Sequence, residues 1–253
     1  MKKIISALLA GTLAVAVLAG CGKSSGGATM TEGKLIAGTN AAFPPFEYIG
    51  DDGQPDGFDI ALIKEIGKRL GYEVEIQDME FGSLVAAIGS KIDVAIAGMT
   101  ITDERKQSVD FAEPYYDATQ YVIINAGADI KNAEDLKGKA IGCQLGTTGE
   151  TVAQDAEGAS VNPYDKAVDA VNDLVNGRVD CVIIDKNPAE VFKNNFGDKI
   201  EIIDGAQFDF EIEQYGIAAP KGSQLVADIN KTLEEMKADG TFAELEKKYI
   251  LGE

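Results

Sequence analysis

One stretch of the sequence, VAIAGMTITDERKQSVDF at 94–111, places an arginine shortly after an apolar run that ends in two threonines. The guanidinium of Arg105 can bind a carboxylate through two parallel hydrogen bonds. Thr100, a few residues earlier, adds a hydroxyl that both donates and accepts. These residue types predict one half of a carboxylate-binding site, although a solvated first helical turn would carry similar charges.

Two further predicted strand ends carry groups that complement this arginine. KAIGCQLGTTGET predicts a strand that breaks at Gly146, followed by a helix beginning near Thr147 and Thr148, and the free N–H groups of a helix start bind anions. The apolar run CVIID ends in the carboxylate of Asp185. Ligands of open α/β sheets bind beyond the carboxyl ends of the strands, so the collected groups fit a zwitterion.

The elements that must position these residues alternate between strands and helices. KLIAGT, YEVEIQDM and IDVAIAGM read as strands, and NAAFPPFEY reads as a loop because of its prolines. Asp59 is predicted to cap a helix whose apolar residues recur at helical spacing, and Gly71 to end it. This alternation is typical of an α/β fold.

One supersecondary unit occurs twice in the chain. The segments 84–98 and 170–185 both run from an amphipathic helix through a glycine turn into an apolar strand, with Asp93 and Asp180 at matching places. The repeat predicts two lobes of similar topology, each a mostly parallel sheet covered by helices. Any two βα units share some likeness, so the repeat alone does not establish two lobes.

The N-terminal segment has the features of a secretory signal. Two lysines precede the apolar run Ile4–Val17, which is shorter than the roughly 20 residues that span a membrane. LAGC, ending at Cys21, is similar to a bacterial lipobox, which predicts a lipoprotein signal peptide at 1–20 and lipidation with palmitate at Cys21. The alternative is an ordinary signal peptide followed by an unmodified cysteine. Residues 21–33 are rich in Gly, Ser and Thr and predict a flexible tether.

Composition excludes several classes of function. The formal net charge of −19 argues against nucleic-acid binding. Because the chain has no histidine, it has no Ser-His-Asp or Cys-His catalysis and no histidine-based metal site. Cys143 and Cys181 lie in apolar runs and are expected to be small buried hydrophobes, although a disulfide between them is open in an exported protein.

The chain resembles the polar amino-acid binding proteins of bacterial ABC importers, which include the glutamine, histidine and lysine/arginine/ornithine binding proteins. The resemblance covers nearly all of 34–253 and rests on AGMTITDERKQSVDFAEPYY, FPPFEY, GFDIALIKEI, LGTTGET and QYGIAAPKG. It implies an α/β, two-lobed periplasmic-binding-protein-like fold of type II. Lobe 1 would comprise 34–117 and 217–253, lobe 2 would comprise 118–216, and hinge crossings would lie near Asp117–Tyr121 and Glu213–Gly216.

The resemblance also implies roles for individual residues. Arg105, Thr100 and the backbone of Gly98 would bind the α-carboxylate of an amino acid from the first lobe. Thr148, beside Thr147, would bind the same carboxylate from the second lobe, and Asp185 would bind the α-ammonium. The implied aromatic residues that enclose the ligand side chain are Phe43 and Phe81.

Each of these roles has a structural alternative. Phe43 and Phe81 would look the same in sequence if they were core aromatics. The threonines at 147 and 148 would serve equally as caps of their own helix, and Asp185 as the cap of the helix that follows it.

At two positions the chain departs from the familiar members. Asn40 stands where several relatives have an aspartate facing the ligand side chain, and Gln144 where the glutamine binder has a lysine. Because both amides are uncharged, neither specificity transfers directly. With nearby acids such as Glu47, Glu80 and Glu213, we expect a basic amino acid such as arginine or lysine, with glutamine or another polar amino acid next.

The partners implied are a free amino-acid ligand and ABC permease subunits, with the membrane contacted only through the lipid anchor. A monomer at the outer face of the cytoplasmic membrane, or on the periplasmic side, is expected, with no cofactor and no nucleic acid. Alternatives are an amino-acid sensor that presents to a receptor, or a dehydratase-like enzyme on the same fold. The acidic run Asp209, Glu211 and Glu213 reads as a solvated loop rather than a general acid/base pair.

Overall fold

The computed structural model describes residues 29–252. The predicted signal peptide, Cys21 and most of the predicted tether lie outside the described residues. Within 29–252, no helix combines the length and the apolar character that crossing a bilayer requires.

The strands of the described chain are short, as is usual in an α/β fold. Their bounds are Lys34–Thr39 (β1), Ala42–Phe43 (β2), Glu47–Ile49 (β3), Pro55–Asp56 (β4), Glu73–Asp78 (β5), Val94–Ala95 (β6), Val109–Phe111 (β7), Tyr116–Asn125 (β8), Ala140–Gln144 (β9), Ser160–Tyr164 (β10), Cys181–Asp185 (β11), Ile200–Asp204 (β12), Ile212–Tyr215 (β13) and Ala218–Pro220 (β14).

The helices cover the faces of the sheets. Their bounds are Phe58–Leu70 (α1), Leu84–Ala87 (α2), Arg105–Ser108 (α3), Thr148–Asp155 (α4), Ala167–Val175 (α5), Lys186–Phe196 (α6), Gln224–Asp239 (α7) and Thr241–Glu246 (α8). Short 3₁₀ turns occupy Phe81–Ser83, Ala133–Leu136, Gly197–Lys199 and Gly205–Phe208, and a π-helical turn occupies Lys247–Leu251.

Two separate sheets form the two lobes. The first has the order β5-β1-β6-β14-β7, with β1 parallel to both β5 and β6 and with β14 antiparallel to its neighbours. The second has the order β10-β9-β11-β8-β12, with β9 parallel to β10 and β11 and with β8 antiparallel to β11 and β12. Both sheets therefore contain parallel and antiparallel strand pairs. The parallel pairs are those made by β1 in the first sheet and by β9 in the second.

The chain passes between the sheets along one antiparallel strand pair. Strands β8 and β13 pair from Tyr116–Tyr215 to Thr119–Ile212, and β8 then continues into the second sheet. After β13 the chain returns to the first sheet as β14, and helices α7 and α8 pack against α1. The C-terminal helices therefore pack beside α1, on the side of the first sheet.

Asp93 and Asp180, which mark the repeat in the sequence, make equivalent contacts in the two lobes. Asp93 Oδ2 accepts the backbone N–H of Ile36 in β1 at 2.8 Å. Asp180 Oδ2 accepts the backbone N–H of Ala140 in β9, also at 2.8 Å. Each carboxylate thus anchors the start of the neighbouring parallel strand. This shared contact explains why an aspartate occurs at the same place in both copies of the repeat.

The two cysteines of the described chain are buried free thiols and form no disulfide. Burial raises the pKa of both thiols to about 12, so they stay protonated and behave as small hydrophobic side chains. The prediction that Cys143 and Cys181 are small buried hydrophobic residues is therefore confirmed. The alternative, a disulfide between them, is not formed.

The predicted cap of α1 is wrong. The helix begins after Gly57 without any side-chain cap, and Asp59 lies inside the protein. Asp59 Oδ2 instead accepts the N–H of Gly98 at 2.7 Å and the hydroxyl of Tyr115 at 2.7 Å. The predicted end of the helix is correct, since Gly71 adopts a left-handed conformation there.

Candidate functional site

The residues that the sequence picked out for chemistry line a single cavity between the two sheets. The cavity is narrow in this structure, with a free volume of about 10 Å³. Its lining contains every candidate ligand-binding residue: Asn40, Phe43, Phe81, Gly98, Thr100, Arg105, Gln144, Thr147, Thr148 and Asp185. Ala97 and Glu47 complete the lining, and neither was among the candidates.

Strand ends of both sheets deliver these side chains. The first sheet provides Asn40 directly after β1, and the loop after β6 provides Gly98 and Thr100. The second sheet provides Gln144 at the end of β9 and Asp185 at the end of β11. The carboxyl ends of parallel strands face each other across the cavity, which is where open α/β sheets bind ligands.

Arg105 lies in the cavity and bridges the two lobes. Its Nη1 donates to the backbone oxygen of Thr100 at 2.6 Å, and its Nη2 donates to that of Gly146 at 2.9 Å. The guanidinium carbon lies 5.3 Å from the centre of the Phe81 ring. Because a guanidinium has five N–H groups, these two bonds leave others for a ligand. Burial lowers the pKa of Arg105, which remains far above neutrality.

Thr147 and Thr148 have different roles at the start of α4. Thr147 caps the helix, since its hydroxyl accepts the N–H of Glu150 at 3.3 Å and donates to the oxygen of Gln144 at 2.7 Å. This is the structural alternative considered from the sequence. The hydroxyl of Thr148 instead donates to Glu213 Oε2 at 2.7 Å.

Glu213 joins the two lobes, in contrast to its expected place in a solvated acidic loop. Its Oε2 accepts the hydroxyls of Thr100 and Thr148, both at 2.7 Å, and the Nε2 of Gln120 at 3.4 Å. A wider open groove on the Glu213 side shares only the two threonines with the cavity. Since each hydroxyl has one proton, both threonines present acceptor lone pairs to any second partner.

Asp185 is a buried acid at the end of β11. Its Oδ1 accepts the hydroxyl of Tyr215 at 2.7 Å, and its side chain makes no capping hydrogen bond to α6. Burial, followed by the charge of Glu213, raises the pKa of Asp185 to about 7. The capping alternative is therefore absent, and among the described residues no cation forms a direct ion pair with this carboxylate, although the charge of Arg105 acts on it from a distance.

The two amides that distinguish this chain from familiar members bond to each other across the cavity. Gln144 Nε2 donates to Asn40 Oδ1 at 2.9 Å and to the backbone oxygen of Asp165 at 3.2 Å. Asn40 Nδ2 donates to the oxygen of Met79 at 2.8 Å. The pair is thus held from both lobes.

The two candidate aromatics line the cavity in different ways. Phe43 stacks on Phe46 with ring centres 6.0 Å apart and planes at 29°. Phe81 lies under the guanidinium of Arg105. Both rings are almost fully buried, and both line the cavity. Each ring therefore packs in the core, as the structural alternative proposed, and also forms part of the cavity wall.

Glu47, which the sequence reasoning named only as a nearby acid, is part of the cavity lining. Its side chain is completely buried, and neither carboxylate oxygen has a hydrogen-bond partner among the described residues. Burial, followed by the charge of Asp59, raises the pKa of Glu47 well above its usual range. One feature of the sequence could have indicated that Glu47 is buried, namely its position inside the aromatic segment FPPFEY. Within 29–252, no group of three or more His, Cys, Asp or Glu residues is arranged to hold a metal ion.

Comparison with known proteins identifies the family. The sequence pattern of the bacterial extracellular solute-binding proteins, family 3, matches residues 35–252. The arginine-binding extracellular protein ArtP of Bacillus subtilis (strain 168) is 38% identical, with all of both chains covered. An ancestral arginine-binding protein bound to arginine superimposes with a TM-score of 0.79 at 45% identity, over 86% of this chain and 98% of that one. The ancestral protein bound to glutamine gives 0.79 at 44% identity, over 87% and 98%.

These matches confirm the resemblance and the two-lobed type II fold that were inferred from the sequence motifs. They also confirm that the chain is not an enzyme, because the family consists of solute-binding proteins. With the family pattern matched over almost the whole described chain, the protein belongs to the bacterial extracellular solute-binding proteins of family 3.

Proposed function

We propose that the protein is the extracytoplasmic substrate-binding component of an ABC importer and captures one free polar L-amino acid, with basic amino acids preferred. The observation that carries this proposal is the cavity itself. It places a guanidinium from one sheet opposite a buried carboxylate from the other, and a zwitterion neutralises both.

The free hydrogen-bonding groups of the cavity support one arrangement of the ligand's head group. The N–H groups of Arg105 that remain after its two backbone bonds suit the α-carboxylate, together with the amides at the start of α4. Asp185 suits the α-ammonium. The hydroxyls of Thr100 and Thr148, whose protons go to Glu213, also suit the ammonium better than the carboxylate.

Such a ligand would stabilise the closed arrangement. We propose lobes of 34–117 with 217–253 and of 118–216, joined by the β8–β13 pair. Because Arg105 lies on one lobe and Asp185 on the other, a ligand that binds both lowers the free energy of the closed state alone. A micromolar dissociation constant corresponds to about −8 kcal/mol, which two buried charge-assisted contacts and aromatic packing can supply.

The preference for a basic amino acid has support from charge and from relatives. Arg105 is the only cation in the cavity lining among the described residues, whereas Glu47 and Asp185 are both acids there. ArtP is named as an arginine-binding protein, and the ancestral protein was solved with arginine. That protein was also solved with glutamine, which makes glutamine the second candidate.

Isothermal titration with the twenty amino acids tests the proposal. We expect one basic amino acid to bind with one-to-one stoichiometry at micromolar affinity or better. Arg105→Ala should weaken that binding by at least about a hundredfold, since a charge-assisted bidentate pair contributes roughly 3 kcal/mol. Lys106→Ala is the matched control, because Lys106 is exposed and pairs only with its neighbour Asp103 at 3.7 Å. No heat from any amino acid, or an unchanged affinity of the Arg105 variant, would contradict the proposal.

A further inference from the structure

The acidic pair of Glu47 and Asp59 lies at one wall of the cavity. Glu47, on β3, lines the cavity and is completely buried. Asp59, on α1, is also completely buried. Both oxygens of Glu47 and the Oδ1 of Asp59 have no hydrogen-bond partner among the described residues. Such groups are costly in a protein interior unless something satisfies them.

A shared proton satisfies part of this need in the free protein. Ionised carboxylates only accept hydrogen bonds, so the two side chains can bond to each other only when one is protonated. Asp59 Oδ2 already accepts the N–H of Gly98 and the hydroxyl of Tyr115, and both bonds favour its ionised form. The proton therefore resides mainly on Glu47, whose pKa is raised well above its usual range, whereas that of Asp59 is raised to about 6.

The surroundings of the pair carry an excess of negative charge. Besides Asp59, the groups whose charges act on Glu47 are Asp185 at the end of β11 and Asp78 at the end of β5. Tyr115 faces the pair with its hydroxyl on Asp59. Arg105, the cation of the cavity lining among the described residues, donates to two backbone oxygens rather than to these acids. A second positive charge would therefore be stabilised beside Glu47.

We propose that Glu47 is the subsite for the cationic side chain of the ligand and that a guanidinium or ammonium group there replaces the proton shared with Asp59. The O–H bond of Glu47 breaks, its electron pair stays on the carboxylate, and the proton leaves to solvent. This inference rests on the proposed function, because the head group must first be held by Arg105 and Asp185.

The direction of the pH dependence follows from proton linkage. Glu47 is protonated in the free protein and ionised in the complex, so binding of a cationic ligand releases a proton. Affinity for that ligand then rises with pH, by up to about tenfold per unit, until Glu47 is ionised in the free protein as well. Asp185 meets the α-ammonium of every amino acid, so its proton is released equally for cationic and neutral ligands.

A comparison of arginine with citrulline separates the proton released by Glu47 from the proton released by Asp185. Citrulline has nearly the same shape as arginine but a neutral side chain. Titrations in buffers of different ionisation enthalpy, at about pH 6 and about pH 7.5, count the protons released. We expect arginine to release up to one proton more than citrulline. We also expect the arginine-to-citrulline affinity ratio to rise about tenfold or more between these pH values.

Glu47→Gln keeps the shape of the side chain and removes its titration. In this variant the extra proton released by arginine should disappear, and the affinity ratio should fall at least about tenfold and become independent of pH. Glu73→Gln is the matched control, since Glu73 is an exposed acid at the start of β5, is not part of the cavity lining and should behave as wild type.

Equal proton release by arginine and citrulline, or unchanged release by arginine in Glu47→Gln, would overturn the inference. If Glu47→Gln does not fold, as judged by circular dichroism, the difference in proton release between arginine and citrulline on the wild-type protein tests the inference. If citrulline does not bind, the difference in proton release by arginine between wild type and Glu47→Gln tests it. Failure of every amino acid to bind would instead overturn the proposed function.

Discussion

At the scale of single residues, Asp185 shows most clearly how the free protein is held ready for a ligand. It is buried, it accepts one hydroxyl from Tyr215, and within residues 29–252 it feels the charge of Arg105 without a direct ion pair. Its pKa of about 7 means that the unliganded protein binds a proton there that the unfolded chain releases near pH 4. The same burial that prepares the site for an ammonium therefore lowers the stability of the free protein at neutral pH.

Lowering the pH should stabilise the free protein across the range from about 7 to about 5. In that range the folded state binds more protons than the unfolded state, so the free energy of unfolding rises as the pH falls. A shift of about three pKa units corresponds to an effect on the order of 4 kcal/mol at most. Thermal unfolding as a function of pH measures it, and Asp185→Asn should flatten the slope.

Glu47, whose pKa is raised well above its usual range, and Asp59, with a pKa of about 6, should leave a smaller slope in the same direction in Asp185→Asn. Asp103→Asn is the control, because Asp103 is fully exposed and its replacement should leave the slope unchanged. A slope in Asp185→Asn equal to that of wild type would show that Asp185 is ionised throughout this range.

The short motifs predicted the residues that gather in the cavity, because Arg105, Thr148 and Asp185 each follow a strand end that the apolar pattern reveals. They did not predict the contacts of Glu213. Thr100 and Glu213 are 113 residues apart in the chain, and an antiparallel bridge between Thr100 and Tyr215 brings them together. The motifs also named Glu47 only as a nearby acid and did not predict its burial, since an acid in a loop looks solvated until its surroundings are known.

At the scale of elements, the loop after β6 determines the shape of the cavity. The segment IDVAIAGM was expected to be a strand, but only Val94–Ala95 forms one. Beyond it the chain turns at Gly98, where φ is +52°, and the Gly98 N–H reaches Asp59. NAAFPPFEY was expected to be a loop, and it contains the short strands β2 and β3, which pair on either side of the two prolines.

Gly98→Ala should weaken ligand binding by about tenfold or more while the protein still folds. A methyl group there would lie 2.9 Å from Phe43 Cε1, too close for either atom, so the ring would be pushed within the cavity. The left-handed conformation adds a cost of about 1–2 kcal/mol to folding. Calorimetric titration and chemical denaturation measure the two effects.

Gly89→Ala provides the matched control for this substitution. Gly89 also has a positive φ, +77°, but a methyl group there would lie 3.6 Å from Pro220 Cγ, away from the cavity. The two variants should therefore lose similar stability, and only Gly98→Ala should lose affinity. An equal loss of affinity in both would attribute the effect to general destabilisation.

At the scale of the whole molecule, the lobes touch through the residues that are expected to hold the ligand. Arg105 reaches Gly146, Gln144 reaches Asn40, and the hydroxyls of Thr100 and Thr148 share Glu213. The repeat predicted two lobes, and the resemblance implied crossings between them near Asp117–Tyr121 and Glu213–Gly216. It could not predict the angle between the lobes, because the hinge pair β8–β13 sets that angle through contacts distant in sequence.

Ligand binding should make the molecule more compact in solution. The radius of gyration from small-angle X-ray scattering should fall when the amino acid identified by titration is added, because its bonds to both lobes favour the closed state. Arg105→Ala, given the same ligand concentration, should keep the radius of the free protein. Saturated binding without any change in radius would mean that the free protein is already closed.

Membrane attachment is expected to depend on Cys21, which lies outside the described residues. Cys21→Ser should move the protein from the membrane fraction to the medium or periplasm, because the lipid is the predicted anchor. Fractionation followed by labelling with palmitate measures this. Cys143→Ala, which removes a buried thiol far from the N-terminus, should stay with the membrane. Continued membrane association of Cys21→Ser would remove the lipid anchor from the proposal.

The position of β14 between β6 and β7 has a consequence for how the chain folds during synthesis. The second sheet and its hinge strand are encoded by one continuous stretch, 116–215, whereas the first sheet needs β14 from 218–220 to join its two halves. The ribosome therefore completes the second lobe while the first still has a gap in the middle of its sheet. Although N-terminal domains usually fold first, here the first lobe must wait for residues 218–220, which follow the whole of the second lobe.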